Sequence, residues 1–116
     1  MDLRKEQISW EDFDKIDLRI GTVIQASPNE HARKPSIILE IDFGAELGIL
    51  KSSAQLTVLY QPKDLVGKQV VAVVNFPVIQ VAKTMSQCLV LGALGDNGHV
   101  SLLQADRKLK NGLRIS

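Results

Sequence analysis

The sequence predicts an all-β fold, a small five-stranded barrel with short helices and with additions at both ends. Two runs rich in Val and Leu, at 69–75 and 87–92, are too short for independent helices and read as buried strands. They flank an apolar loop at 76–85 that Pro77 opens, because proline cannot donate to a sheet ladder. Hydrophobic residues make up 45% of the chain but aromatic residues only 4%, so branched aliphatic side chains must fill the core. A length of 116 residues fits one domain, residues 1–116.

The chain begins with a polar tail, residues 1–8, for which the sequence predicts little order. A short helix is expected at 9–15, with Ser9 as its N-cap and acidic residues in its first turn. Trp10 and Phe13 lie three positions apart and therefore share one face of this helix. Because so short a helix is marginal alone, that face must pack against something.

Three strands and a hairpin are expected next. Residues 16–26 alternate between apolar and polar side chains, and Gly21 in their midst predicts a bulge or sharp bend. The second strand is expected at 37–43 and the third at 47–53. Their short connection, 44–46, predicts a hairpin.

In the second half of the chain, the spacing of the apolar residues changes from that of a strand to that of a helix. Leu56, Leu59 and Tyr60 have helical spacing, which predicts a helix at 54–60 that Pro62 ends. The two buried strands follow, then a hairpin at the Asn-Gly pair 97–98, and short strands at 100–103 and 113–115. Three strands, a helix and two strands is the order of the OB fold, here with terminal additions.

Composition limits the classes of function. The net charge of +1 argues against a broad phosphate-coating surface. Cys88 is the only cysteine, so it cannot form an internal disulfide, and a reducing, cytoplasmic location fits. Its apolar neighbours predict that it is buried. The sequence contains neither a signal-peptide pattern nor an apolar run of about 18 residues, so no membrane insertion is expected.

No catalytic, metal or cofactor site is expected. His31 and His99 lie in separate loops, and no zinc-type spacing of Cys and His residues occurs. The nucleophile-elbow, phosphate-loop and dinucleotide motifs are absent from the sequence, and no carboxylate pair has apolar surroundings. The chain is therefore expected not to be an enzyme.

Six segments, taken in order and spacing, resemble the tRNA-binding domain family. Within it, Ile-Asp-Phe-Gly at 41–44 and Ser-Ser-Ala-Gln at 52–55 are closer to the small, free-standing CsaA-like group. No single segment is specific, but their succession across most of the chain is. The six segments are 17–23, 41–44, 51–55, 65–68, 73–77 and 86–92.

The resemblance implies an OB barrel that forms a homodimer through segments outside the barrel, with Trp10 and Phe13 as interface candidates. CsaA-like members are export-related chaperones that bind unfolded or precursor proteins and the secretion motor. The resemblance thus implies a chaperone in protein export. The alternative it implies is binding of tRNA, recognised by shape through the same face.

The candidate peptide- or tRNA-binding residues lie between 52 and 87. By the resemblance, Ser53, Asn75 and Ser86 match polar positions of the family. Asn75 could instead shape a turn, and Ser53 could cap the helix expected at 54–60. Met85 could belong to the core or to an adaptable binding surface. The full set is Ser52, Ser53, Gln55, Asn75, Phe76, Lys83, Met85, Ser86 and Gln87.

Two features bear on the choice between peptide and RNA. Where the family has basic residues in the loop after Asn75, this chain has Val78, Ile79 and Gln80, with Lys83 as the only cation. Phosphate contacts contribute most of the affinity for nucleic acid, so this loop favours polypeptide. A basic C-terminal cluster could be a solvated edge or a contact for phosphate or acidic protein. It comprises Arg107, Lys108, Lys110 and Arg114.

Overall fold

The structure is a computed structural model that describes residues 3–116, so residues 1 and 2 of the predicted tail lie outside the described residues. Residues 3–8 form neither helix nor strand. Helix α1 spans Trp10–Asp14, and Ser9 caps it as expected. The Asp12 N–H donates to Ser9 Oγ at 3.1 Å, and the Ser9 N–H donates to an Asp12 carboxylate oxygen at 3.2 Å. This reciprocal capping box confirms where the helix begins.

Ten strands, a second short α-helix and a 3-10 helix at Asp96–Gly98 follow within the described residues. In chain order the strands and the second α-helix are β1 (Leu18–Pro28), β2 (Ile37–Asp42), β3 (Ile49–Ala54), α2 (Pro62–Leu65), β4 (Gln69–Val73), β5 (Ile79–Val81), β6 (Thr84–Ser86), β7 (Leu89–Val90), β8 (Gly92–Leu94), β9 (Val100–Leu102) and β10 (Arg114–Ile115). None of the helices within residues 3–116 is long and apolar enough to cross a membrane.

The main sheet curls into a nearly closed antiparallel barrel. Its strands run in the order β3-β2-β1-β4-β7, and β10 pairs with the beginning of β1. The two ends of the sheet meet where the Gln87 N–H donates to Lys51 O at 2.7 Å and the Lys51 N–H donates to Gln87 Oε1 at 2.9 Å. The hairpin expected between the second and third strands is β2–β3, and that expected at 97–98 is β8–β9. The predicted OB fold is confirmed.

Gly21 does not form the bulge that the sequence predicts. The register of β1 against β2 shifts between Val23 and Gln25 instead, while Gly21 pairs regularly with Val70. A Cβ at Gly21 would lie 2.6 Å from Ile41 Cγ2. The glycine therefore permits close packing inside the barrel.

The helix predicted at 54–60 is wrong. Residues 57–59 form a turn, and α2 begins at Pro62, where the missing N–H needs no partner. The helical spacing arises because Leu56 is buried in the core while the Tyr60 hydroxyl accepts the Leu102 N–H at 3.0 Å. Ser53 lies within β3, so its predicted role as a helix cap is also wrong.

Two apolar clusters occupy opposite faces of β1 and β4. The cluster inside the barrel comprises Val23, Ile37, Leu39, Ile41, Phe43, Leu56, Leu65, Val70, Ala72 and Cys88. The outer cluster consists of Leu18, Ile20, Val71 and Val73, and it is covered by Phe13, Leu91, Ala105 and Ile115. The terminal additions thus cover an apolar face that a bare barrel would expose to water.

Candidate binding groove

The segment 76–85, expected to be a loop, contains a small hairpin. Strands β5 and β6 pair from Ile79 opposite Ser86 to Val81 opposite Thr84. The two residues between them form the turn, with the backbone of Ala82 in the left-handed region at φ 57°. Glycine or asparagine is the usual sequence signal for such a turn, and neither is present here. The hairpin could not be predicted for that reason.

Side chains attach this hairpin to the barrel. The Ser53 N–H donates to Ser86 Oγ at 3.2 Å, and Ser86 Oγ donates to the Cys88 carbonyl at 3.4 Å. Together with the bonds between Gln87 and Lys51, they tie the edge of β3 to the chain that follows β6. Of the predicted ligand contacts, Ser86 and Gln87 therefore build the seam between β3 and the hairpin. We call the space between β3 and this hairpin the groove.

The groove contains an apolar cavity of about 270 Å³. Ile79 is 61% exposed and Phe76 51%, so two large apolar side chains face water without an intramolecular partner to cover them. Both line the cavity, and Ser53 and Ser86 supply its polar rim. The complete lining is Ser53, Phe76, Pro77, Ile79, Val81, Ser86, Cys88 and Leu89. This cavity suits an aliphatic or aromatic side chain of a ligand.

The serines of β3 bond within the protein. Ser52 is only 2% exposed. Ser53 Oγ donates to Ser36 Oγ at 3.1 Å and accepts the Asn29 side-chain amide at 3.1 Å. Within residues 3–116, every buried side-chain nitrogen or oxygen of a residue that is not itself exposed has a hydrogen-bond partner. Ser52 thus serves the core, whereas Ser53 is half-buried and still borders the groove.

A second cavity, of about 590 Å³, lies beside the first and shares Ser53 and Val81 with it. The loop between β1 and β2 forms one wall, with exposed His31, Arg33 and Lys34. The sequence analysis did not propose these residues. Loops that connect the strands of an OB barrel commonly bind ligands, and that rule could have identified them.

Three predicted residues lie at the margins of the groove. Gln55 is exposed and lines the larger cavity. Lys83 is exposed at the hairpin tip. Met85 is 50% exposed and lies opposite Gln80 in the register, so strand alternation directs it to the face away from Ile79.

Asn75 lies at a different place, where α1 meets β1. Its side-chain oxygen accepts the Asp17 N–H at 2.9 Å, and its side-chain amide donates to the Lys15 carbonyl at 2.7 Å. It borders a polar cavity of about 250 Å³ that also includes Arg19 and Arg114. Arg19 Nε donates to an Asp17 carboxylate oxygen at 2.6 Å, and this bond raises the pKa of the guanidinium. Asn75 therefore fixes the exit of α1 and is separated from the apolar cavity.

The basic C-terminal cluster is divided between sites. Arg107 and Lys108 line a cavity of about 790 Å³ against β1 and β4, and Arg114 lies beside Asn75. Lys110 borders a further cavity near Gly44. Within residues 3–116, no group of three or more His, Cys, Asp or Glu side chains could hold a metal ion.

Cys88 is buried, as predicted, at 5% exposure. Burial raises the pKa of its thiol to about 12 from the ordinary 9.0, and a hydrogen bond with Ser52 opposes the rise. The neutral thiol therefore contributes stability that is fully present below pH 9.0 and is lost as the pH rises through about 12. We expect the urea midpoint of the native protein to fall more than that of Cys88→Ala between pH about 8 and about 11. Equal losses in the two proteins would contradict this assignment.

Comparison with curated proteins gives relatives among methionine–tRNA ligases. The ligase of Methanocaldococcus jannaschii is 34% identical over 112 residues, which are 97% of this chain and 17% of the ligase. Methionine–tRNA ligase 1 of Bacillus cereus is 33% identical over 112 residues, which are 97% of this chain and 16% of that protein. The chain thus spans about a sixth of the length of these relatives.

Solved structures of similar size share the fold. The chaperone CsaA of Bacillus anthracis str. Ames is 53% identical, with a TM-score of 0.90 over 96% of this chain and 100% of that one. The CsaA chaperone protein of Picrophilus torridus is 40% identical, with a TM-score of 0.88 over 95% and 100%. The family described as putative tRNA binding domain matches residues 18–114. This chain therefore belongs to the putative tRNA-binding domain family.

Proposed function

We propose that this chain is a non-catalytic binding module, a CsaA-like chaperone that holds unfolded or precursor polypeptides. The observation that carries the proposal is the exposed apolar wall of the groove. Phe76, Ile79 and Leu89 are each about half exposed beside a cavity that lacks a charged lining residue. Apolar surface grouped around a concave site is typical of a binding surface for apolar ligands. Unfolded chains present such apolar side chains, which folded proteins bury.

The comparisons support this proposal over the enzyme class. Both proteins described as CsaA chaperones are more similar to this chain, at 53% and 40% identity, than the ligases, which are 34% and 33% identical over about a sixth of their own length. The proposal extends to protein export in the cytoplasm, with the secretion motor as a partner.

A homodimer is part of the proposal. Trp10 is 84% exposed and Ile8 65%, while Phe13 packs on the outer cluster of its own chain. An exposed tryptophan beside a covered apolar face is a suitable centre for a two-fold contact. Two grooves in one particle would bind a long client with avidity.

Binding of tRNA is the second candidate. The family description supports it, and exposed cations lie around the groove at Arg33, Lys34 and Lys51. This alternative requires binding of bulk tRNA at about 50 mM salt and a steep loss of affinity as salt rises. The absence of charged residues from the lining of the apolar cavity favours polypeptide.

The groove should lose client binding when its apolar wall is made polar. We expect Phe76→Ser combined with Ile79→Ser to weaken binding of an unfolded client at least about tenfold, because two half-exposed apolar contacts are removed. The measurement is suppression of aggregation of a chemically denatured reporter enzyme over a range of dimer concentrations. Circular dichroism verifies that the variant is folded.

Ile49→Ser is the matched control, because Ile49 is 54% exposed on β3 and lines neither the apolar cavity of the groove nor the larger cavity beside it. It should suppress aggregation as the native protein does. If the native protein does not suppress aggregation at a stoichiometric amount, the proposed function is wrong. Equal losses in the control and the groove variant would show that the groove is not the binding site.

A further inference from the structure

Strand β5 has a free edge. In a hairpin with a two-residue turn, Val81 and Thr84 exchange both backbone hydrogen bonds, and the next pair, Gln80 and Met85, exchanges none. The N–H and C=O of Gln80 therefore point away from β6. Among the described residues, β5 pairs only with β6, and no backbone group of a turn or loop bonds to the backbone of Gln80. An edge of this kind can accept an additional strand.

The free edge faces a cationic loop. Gln80 lines the cavity of about 590 Å³ on one side, together with Ala82, whose carbonyl accepts the Gln80 side-chain amide at 2.9 Å. Arg33 and Lys34 line it on the other. Neither takes part in the ion pairs found within residues 3–116. We call this space, between β5 and the loop at 31–34, the cleft.

We propose that the cleft binds an extended acidic segment of a client polypeptide, which adds to the free edge of β5 as a strand. Main-chain bonds to Gln80 would supply affinity with little dependence on sequence. A client carboxylate would face Arg33 and Lys34. This inference rests on the proposed function and names the class of segment that the site prefers.

The position of the cleft agrees with such a ligand. Alternate residues of β5 face alternate sides, so Ile79 lines only the apolar cavity and Gln80 only the cleft, while Val81 lies where the two cavities meet. A strand beside β5 would place every second side chain toward the apolar wall. The preferred segment therefore combines alternate aliphatic residues with Asp or Glu near one end.

The lining of the cleft favours polypeptide over RNA. Single-stranded nucleic acid is usually held by aromatic side chains on which bases stack. No Phe, Tyr or Trp lines the cleft, and its polar side chains are hydroxyl and amide groups and the His31 imidazole beside the cations. Backbone donors and acceptors suit another main chain better than a phosphodiester, which lacks donors.

The charge preference is tested with two labelled peptides of about ten residues that alternate Val and Thr and differ only by Glu or Gln near one end. Fluorescence anisotropy with the native protein should show the Glu peptide binding roughly three- to tenfold tighter at low salt. Arg33→Gln with Lys34→Gln should abolish that difference. Arg107→Gln with Lys108→Gln, a matched pair outside the cleft, should preserve it.

Strand addition is tested by N-methylation of the peptide, one residue at a time. A bound strand uses the N–H groups of alternate residues, so affinity should fall at every second position. Gln80→Pro removes the outward N–H at a position where an edge strand tolerates proline, and it should weaken binding at least about fivefold. Gln80→Ala keeps the N–H and removes only the side chain, so it should weaken binding much less than Gln80→Pro does.

The outcomes separate this inference from the function on which it rests. Equal affinity for the Glu and Gln peptides would refute the preference of the cleft for acidic segments, and losses on N-methylation without alternation would refute strand addition to β5. Either result would leave the proposed binding of polypeptide in the groove unaffected. Failure of both peptides to bind the native protein would overturn the proposed function itself. If the Arg33 and Lys34 variant instead loses binding of an RNA hairpin and keeps peptide binding, the cleft is an RNA site.

Discussion

Gly112→Ala should lose about 3 kcal/mol of stability, whereas Gly67→Ala should lose about 1 kcal/mol. Both glycines have a backbone φ of 91°, so an alanine carries the same left-handed strain at either position. They differ in their surroundings. A Cβ at Gly67 meets nothing within 4 Å, but a Cβ at Gly112 would overlap the backbone carbonyl of Phe43. A carbonyl in the main chain cannot rotate aside as a flexible side chain can.

The overlap matters because Gly112 holds the C-terminal segment onto the barrel. Its N–H donates to Ile20 O at 2.7 Å, and its carbonyl accepts Arg19 Nη1 at 3.1 Å. Relief of the overlap would lengthen these bonds and loosen the cover of the outer cluster. Thermal unfolding should show a fall of roughly 10 °C or more for Gly112→Ala and about 4 °C for Gly67→Ala. Equal decreases in the unfolding temperature of the two variants would mean that the C-terminal segment moves to accommodate the Cβ without a loss of stability.

The strands were predictable because their patterns reflect burial directly. β2 alternates in burial along its whole length, and β4 is buried from Val70 to Val73, as its Val-rich run predicts. The additions at both ends were also predictable, since Ser9 and the Asn-Gly pair at 97–98 are local signals with a local cause. Such signals depend on neighbours in sequence.

The features that the sequence did not predict depend on distant contacts. Gly21 is required by Ile41 and Phe43, about twenty residues away in the chain, so its position within a strand could not indicate its role. The spacing of Leu56 and Tyr60 imitates a helix because one side chain enters the core and the other bonds to β9. In both cases tertiary packing, rather than local propensity, decides the structure.

The candidate site was predictable in part. Phe76 and Ser53 do line the groove, and Gln55 lines the neighbouring cavity. Asn75 matched the family pattern, yet its amide holds the backbone of residues 15 and 17. Arg33 and Lys34 become neighbours of the hairpin only through the curl of the sheet. The polar residues of the loop at 31–34 form no sequence motif that would indicate this proximity.

Replacement of Trp10 by serine should convert the proposed homodimer into a monomer. Trp10 is 84% exposed, and Asn75 and Ser9 fix the two ends of the helix that carries it. A buried tryptophan at the centre of an interface can contribute about 2 to 4 kcal/mol, so dissociation should increase roughly thirtyfold to a thousandfold. Sedimentation velocity at micromolar concentration measures this change.

Leu3→Ser is the matched control. Leu3 is also largely exposed, at 89%, but it lies outside α1 and outside the outer cluster, so its replacement should leave the dimer intact. The Trp10→Ser monomer should unfold near the native temperature at low protein concentration, because this side chain packs on little of its own chain. It should also hold long clients more weakly than short peptides, since avidity requires both grooves. A native protein that sediments as a monomer would refute the dimer, and an unchanged dimer in Trp10→Ser would place the interface elsewhere.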